Sequence, residues 1–492
     1  MSDQSETQLP EPNQPLSKQL TPVRWWAYAS LVVLGLVAFW PSVWFDFVNW
    51  DDPSYITHNE LIKSWSPSNL AGIATETVTR NYAPLTIFSY LVDHTLWGDN
   101  PCGYHATNVL LHLINGVLVF LLVRQLSGSN FVGWTTAALF LVHPVQIETV
   151  AWVSSRKGLL SATFMLAALI VRLKPNAGGK QDLWYIGWLI AALLSKALAV
   201  VVPAIVLCYD LWVRRQTFAD AFVRQVVPGF LCVQLLLKTM GAQTTILGGL
   251  RGHMDLSFLQ ILAVDTTILW RYIGMLFYPA DLCVLYDPLT TGIGTMVGLA
   301  VAGWLVVGFG IWKVRKTHPI VLWSAAAFML LLLPVLNFYK ITTLMNDRYL
   351  YLPCICVFAA VAAGLDRLFA VSREEISGLL CGLATASKCG IAAAAVSCAA
   401  AATSQHLPVW QSPETLWDHA MTKAPQLTVV RIQKALTQHD RGQRREAIRT
   451  LQWALVRTEP DELDRNRIRK MLSTWVAELR IRTVDGGRAT VK

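Results

Sequence analysis

Residues 25–53 read WWAYASLVVLGLVAFWPSVWFDFVNWDDP. This is an apolar run of about twenty residues, long enough to cross a bilayer, that ends in the paired carboxylates Asp51 and Asp52. Carboxylates at the mouth of a membrane helix are costly to keep ionised unless cations, hydrogen-bond donors or a substrate face them. A lone aspartate there reads equally well as a solvated loop acid or a helix N-cap. The pair gains weight only from what the chain places on the same side of the membrane.

Further apolar runs fall near 105–123, 131–147, 157–171, 183–199, 200–213, 222–240, 294–312, 319–336, 349–370 and 376–402. With the first they make about eleven spans. The composition agrees: 54% of the 492 residues are hydrophobic and 15% charged, with 20 Trp and a mean hydropathy of +0.42, which places the chain among polytopic helical membrane proteins. The 41 Lys+Arg exceed the 32 Asp+Glu, but they sit in short loops and in the tail, where orientation and lipid headgroups account for them; nucleic-acid binding is excluded. The nine Cys lie mostly inside apolar segments without ligand spacing, so no metal site and no cofactor is predicted, a divalent metal being left open.

Lys and Arg collect in alternate connections: Arg124; Arg172, Lys174 and Lys180; Arg214, Arg215 and Arg224; Lys313, Arg315 and Lys316; Arg367 and Arg373. The positive-inside rule makes these cytoplasmic, the N-terminus with them, and puts the chain beyond about 403 outside. The segment 258–278 is apolar enough to span, but a span there reverses the charge agreement of every later loop, so it is predicted as an interfacial or re-entrant helix. Three regions result: a disordered cytoplasmic tail at 1–22, polar and rich in Pro and Gln; a membrane domain at 23–403, with a long first outer loop at 45–104; and a charged helical domain at 404–492 on the outer side. In the last, Gly442 to Ala447 followed by Ala454 and Pro460 resembles the second half of a tetratricopeptide repeat. A single degenerate repeat reads either as a helical cap on the membrane domain or as a docking surface for a partner.

The outward connections carry nearly all the unusual polar residues. The first loop adds Arg80-Asn81-Tyr82 to the acidic pair. His105, Asn108 and His112 lie at i, i+3 and i+7, one helical face, where an interhelical hydrogen-bond set is the simpler reading than metal ligation. His143-Pro144 leads to Glu148, Trp152 and Arg156, which share a face if the segment is one helix, with a Glu148–Arg156 pair as the structural alternative. Ser195-Lys196 follows, where snorkelling suffices, and then Asn346-Asp347-Arg348-Tyr349, an acid and an arginine at a helix end that suit an anionic headgroup. A base near the membrane surface and a fixed cation for phosphate are the minimum for moving a group from a lipid phosphate to a hydroxyl.

Taken in order, the acidic pair, Asn81-Tyr82-Ala83-Pro84-Leu85, His105-Ala106-Thr107-Asn108 with His112, His143-Pro144 with Glu148, Ser195-Lys196, and Asp347-Arg348-Tyr349-Leu350-Tyr351-Leu352-Pro353 resemble the GT-C glycosyltransferases. Within them the likeness is to the transmembrane and tetratricopeptide-repeat O-mannosyltransferases and their bacterial relatives; Trp410-Gln411-Ser412-Pro413 also looks like that group's join between last span and repeats. The resemblance implies an all-α polytopic GT-C fold with about eleven transmembrane helices, juxtamembrane helices in the first outer loop and a short TPR-like C-terminal domain. It also implies an inverting enzyme that moves a sugar from a polyprenyl-phosphate donor to an acceptor hydroxyl, a protein Ser or Thr, on the outer face of a bacterial inner membrane. Carried over, Asp51 and Asp52 are catalytic; Arg348, Arg80 and Lys196 bind the donor phosphate; Tyr82, His105, Asn108, His143, Glu148, Arg156, Asp347 and Tyr349 contact or support substrate. Where the family often has a basic residue this chain has Ala83, which shifts that phosphate contact to Arg80. The implied partners are a polyprenyl-phosphate-linked sugar, membrane lipid and a protein acceptor docking near the C-terminal domain. Transfer to a lipid, en bloc oligosaccharyl transfer, a glycolipid flippase and a membrane scaffold are the competing readings.

Overall fold

The computed structural model describes residues 22–79, 81–175, 178–244, 256–338, 343–370, 378–458, 460 and 462–488. Arg80, the segment 1–21 and Arg373 lie outside the described residues. Those described are organised by helices, with no strand among them. The first span, α1 (Trp25–Phe39), continues as a 3-10 turn to Trp44. The outer loop that follows holds α2 (Pro67–Thr75) and α3 (Pro84–Trp97). The next helix, α4 (Pro101–Ser127), has 27 residues, about 40 Å at the usual rise. Its start is fixed by the Asn100 side chain accepting from the Cys102 amide and by Pro101 at the first position, and it stops where Gly128 turns left-handed at φ 69°. Packing against it is α5 (Asn130–Val142). A Cβ at Gly35 of α1 would come within 2.5 Å of Leu113, and one at Gly116 of α4 within 2.4 Å of Leu141. Glycine at these two places lets three helices approach closely enough to seat Leu141 between them, the means by which helices associate where lipid removes the hydrophobic driving force.

The segment after α5 breaks into a 3-10 turn (Pro144–Gln146), the short α6 (Ile147–Ala151) and a second 3-10 turn (Val153–Ser155) before α7 (Arg156–Arg172). The bundle continues with α8 (Gly179–Ser195), α9 (Val202–Trp212), α10 (Phe218–Thr244), α11 (Phe258–Phe277), α12 (Gly294–Val314), α13 (Pro319–Leu332), α14 (Cys354–Leu368) and α15 (Gly378–His406). Every apolar run expected to span is occupied by helix. By length and composition, six of the described segments are long and apolar enough to cross a membrane, and three further apolar helices are shorter. The count of eleven therefore stands as an expectation, and a multi-pass helical membrane protein is what the helices establish.

The two ends of the bundle differ in chemistry. At one, Arg172 reaches Asp210 at 2.6 Å, Arg214 reaches Asp210 at 2.7 Å, and Lys388 and Ser129 hold Asp366 at 2.7 and 2.9 Å. These are the basic connections of the sequence, tied together by carboxylates. The other end carries Asp51. Helix α11 lies across it: Phe258 meets the ring of Phe338, Asp265 accepts from the Asn337 main chain and carboxamide at 3.1 and 2.6 Å, Tyr272 accepts from the Asn346 amide, and the Leu276 carbonyl meets His143. Midway along, the Trp270 indole donates to the Ala300 carbonyl of α12 at 2.8 Å, and α11 is not among the six segments apolar enough to span.

On the same end sits the C-terminal unit of α16 (Pro413–Lys423), α17 (Thr428–Asp440), α18 (Arg444–Arg457) and α19 (Glu462–Arg488). The α17–α18 pair turns at Gly442, whose φ of 78° suits glycine, and buries Ala435, Ala447, Leu451 and Ala454 between its helices.

Candidate active site

The two aspartates have different surroundings. Asp52 is buried, and both of its oxygens are used: one accepts from the Val48 amide at 2.9 Å, the other from the Ser154 amide at 3.0 Å and from the Ser154 hydroxyl. It staples the first outer loop to the start of α7. Burial pushes its carboxyl up to about 6 even though these bonds pull the other way. Asp51 keeps 31% of its side chain exposed and lies 3.8 Å from the Lys157 ammonium. Its carbonyl accepts from the amides of Ser54 and Tyr55, which closes the turn that presents it.

Arg348 is the second residue of a short 3-10 turn, Asp347–Leu350, before α14. Its amide donates to Glu148 at 2.8 Å and its guanidinium pairs with the other oxygen of the same buried carboxylate. This is a charge-assisted pair with fixed geometry. Burial works against the guanidinium charge, and Glu148 more than restores it, so Arg348 holds its proton more tightly than usual. The guanidinium lies 5.4 Å from the Trp152 ring and 5.2 Å from that of Tyr349, and the Lys157 ammonium 5.8 Å from Trp152 and 4.6 Å from Tyr55. Lys157 also donates to the Tyr55 hydroxyl at 3.2 Å. Arg348, Lys196, Tyr349, Thr149 and Ser155 line a narrow cleft whose cavity volume is about 20 Å³, and its remaining wall includes Met165, Leu198, Leu331 and Leu352. Lys157, Lys196 and Arg348 lie within electrostatic range of one another, and Asp51 within range of Arg348. Basic side chains gathered beside an apolar wall and the Asp51 carboxylate make an arrangement that can hold an anionic group.

Asp347 is buried and receives the Tyr286 hydroxyl. Burial and the nearby Glu148 charge push its carboxyl well above the usual range. Tyr286, from the connection after α11, is a neighbour the sequence reading missed.

The remaining sequence candidates fall outside this cluster. Arg156 does not pair with Glu148: the chain is extended at Trp152 (ψ 115°), so 148, 152 and 156 do not share a helical face. Arg156 instead meets Asp93 at 2.6 Å, Asn108 at 2.9 Å and the Tyr104 carbonyl at 2.8 Å, fully buried and satisfied among α3, α4 and α7. The same break turns the next residue, Lys157, toward Asp51. Asn108 also donates to the Val150 and Trp152 carbonyls. His112 bonds Tyr351 at 2.9 Å and the Leu141 carbonyl, and His105 packs against Phe45. His143 caps the 3-10 turn after α5. Tyr82 donates to the Ala74 carbonyl, with the Lys238 ammonium 3.7 Å from its ring. No group of three or more His, Cys, Asp or Glu suited to a metal occurs among the described residues.

A carboxylate beside clustered basic side chains at one end of a helical bundle defines the class: a multi-pass membrane protein with a charged site at one end. The comparisons narrow it, for the chain's homologues are the TMTC-type protein O-mannosyltransferases. A protein O-mannosyl-transferase of Caenorhabditis elegans is 26% identical over 354 residues, covering 67% of this chain and 50% of that protein. Protein O-mannosyl-transferase Tmtc1 of Drosophila melanogaster is 35% identical over 130 residues, 26% of this chain and 15% of that one, and human TMTC3 is 28% identical over 163 residues, 31% and 18%. The chain thus spans half of the first relative and less than a fifth of the other two. No family model matches it. Among solved structures, the Archaeoglobus fulgidus oligosaccharyltransferase aligns with a TM-score of 0.44 at 12% identity, over 77% of this chain and 55% of that one. ArnT from Cupriavidus metallidurans bound to undecaprenyl phosphate aligns at 0.41 and 14%, over 81% and 80%.

Proposed function

We propose that this chain is an inverting GT-C glycosyltransferase that moves a sugar from a polyprenyl-phosphate donor to the hydroxyl of a protein Ser or Thr on the outer face of the membrane. The observation that carries the reading is the pocket shared by Lys196 and Arg348, with Asp51 at Lys157 beside it. The acceptor oxygen attacks the anomeric carbon from the side opposite the phosphate, its proton passes to Asp51, and the bond from that carbon to the phosphate oxygen breaks. Polyprenyl phosphate leaves, and the charge that builds on it falls to Arg348, Lys157 and Lys196. Asp52, buried with both oxygens bonded to Val48 and Ser154, holds Asp51 in place and takes no proton from substrate. Charge asymmetry supports the sidedness, since the basic end belongs to the cytoplasm, and the C-terminal unit then stands beside the site, where a protein acceptor docks.

The relatives' activity makes mannose the first sugar to test. Purified protein in proteoliposomes is given polyprenyl-phosphate mannose, radiolabelled in the sugar, with a Ser/Thr-rich peptide in one arm and a lipid extract in the other. Label on the peptide, with the anomeric configuration opposite to the donor's, is the expected result. Label only in the lipid arm overturns the protein acceptor, and an intact donor in both arms overturns this donor class.

A further inference from the structure

We propose that the C-terminal helical unit is a clamp on the catalytic loop and that Asn49 is the positioning residue through which it sets Asp51; the inference rests on the reading of Asp51 as the base. Asn49 lies two residues before Asp51, and both ends of its carboxamide are taken by the C-terminal unit. The oxygen accepts from the Trp417 indole N–H of α16 at 2.6 Å, and the nitrogen donates to the Thr437 hydroxyl of α17 at 3.0 Å. The Asp46 amide donates to the Gln411 carbonyl at 3.0 Å, and the Trp50 ring lies 5.3 Å from that of Trp417. The opposite limb of the turn is held by Asp52 on Ser154. Asp51 therefore sits between two tethers, one to the start of α7 and one to a domain more than 350 residues away in sequence.

The cation platform is backed from the same side. Trp410, at the join before α16, stacks on Trp152 at 6.1 Å, and Trp152 is the ring beside which Arg348 and Lys157 lie. A cap that served only to cover apolar surface has no need to aim an indole N–H and a hydroxyl at one side chain of the loop. Trp417 and Thr437 are buried and Asn49 is half-buried, so one side of each bond is held inside the C-terminal unit. Displacement of a reacting group by about 1 Å costs on the order of a hundredfold in rate. The Asn49 contacts accordingly act on turnover, while donor binding depends on Arg348 and the lysines.

The test uses the full chain with Trp417→Phe, which keeps the ring and removes the N–H, and separately Thr437→Val, which removes the hydroxyl. Hydrogen exchange is followed over residues 46–54 and over α17–α18, and kcat and KM are measured with polyprenyl-phosphate mannose and peptide. Both variants are expected to exchange faster over 46–54, with α17–α18 unchanged, and to lose roughly ten- to a hundredfold in kcat with KM for the donor within about twofold. Trp453→Phe, on α18 away from the loop, should change neither. Unchanged exchange over 46–54 in both variants overturns the clamp, and so does faster exchange with unchanged kcat when Asp51→Asn is inactive. An Asp51→Asn protein of full activity overturns the base assignment instead, and the exchange rates alone then decide whether the C-terminal unit holds the loop.

Discussion

Replacing Glu148 by Gln probes how the phosphate-binding arginine is aimed. The carboxylate accepts two bonds from one residue, the Arg348 amide at 2.8 Å and the Arg348 guanidinium, while itself being buried. A glutamine amide has one acceptor oxygen, so it can serve one of these donors and turns an NH₂ toward the other. One charge-assisted hydrogen bond is lost, worth about 1.5–3 kcal/mol, together with the only carboxylate in contact with the guanidinium among the described residues. Removing a partner entirely from a buried pair costs about 3–5 kcal/mol, so the isosteric change should destabilise by somewhat less, about 2–3 kcal/mol on the same scale. If half or more of that is felt when charge builds on the leaving phosphate, kcat falls roughly ten- to a hundredfold, at 1.36 kcal/mol per decade. KM for the donor should not rise, because the guanidinium keeps its charge and loses an internal competitor. Single-turnover kinetics with polyprenyl-phosphate mannose, beside thermal unfolding in detergent, measure both effects. A Glu148→Gln protein with wild-type kcat and a donor KM raised tenfold would refute the reasoning, since Glu148 would then act on binding and not on aim.

Arg348→Lys keeps the charge but loses the planar fork that Glu148 grips, so transfer should fall at least tenfold, with Arg348→Ala lower still; equal use of the donor by both variants makes Arg348 a membrane anchor. Asp52 binds its proton more tightly in the fold than at the ordinary 3.8, so its contribution to stability is fully present below about pH 4 and lost as pH rises through about 6. Denaturation midpoints of wild type and Asp52→Asn should therefore diverge in favour of wild type as pH falls from 7 to 4.5, by about 2 kcal/mol at 1.36 kcal/mol per pKa unit, and convergence contradicts the burial assigned to this carboxyl. A membrane-impermeant thiol reagent applied to spheroplasts should label a Cys placed at Gln443 and spare one at Lys316; the reverse pattern inverts the assigned orientation.

The ends of the bundle were legible because charge is conserved along a loop whatever the helices do: Arg172, Arg214 and Lys316 could be assigned to one side by counting, and the contacts of Arg172 with Asp210 and of Arg215 with the Lys316 carbonyl agree. The acidic pair was legible as a feature, but not the division within it, since only the fold decides that Ser154 fills the acceptors of Asp52 and leaves Asp51 open. Lys157 was passed over for Arg156 because a helical period was assumed through 148–156, and a single extended residue, Trp152, shifts every later side chain around the axis. The Ser154-Ser155 pair, which competes for backbone hydrogen bonds, was the one local hint of that break. The histidines lie apart from this cluster: His112 meets a tyrosine hydroxyl and a carbonyl, His143 meets a helix-end carbonyl, and His105 is buried against the edge of Phe45. The grip of Trp417 on Asn49 spans 368 positions and leaves no local pattern to read.

The central claim is that Asp51 takes the acceptor proton while the Lys157, Lys196 and Arg348 cluster holds the phosphate. Transfer from polyprenyl-phosphate mannose to peptide by Asp51→Asn tests it most directly, because Asn fills the same space and removes only the basic oxygen. The account requires normal insertion, donor binding equal to wild type, and a turnover lowered by roughly 10²–10⁴-fold, the usual worth of a general base. Wild-type turnover by Asp51→Asn, with donor still bound, would contradict it.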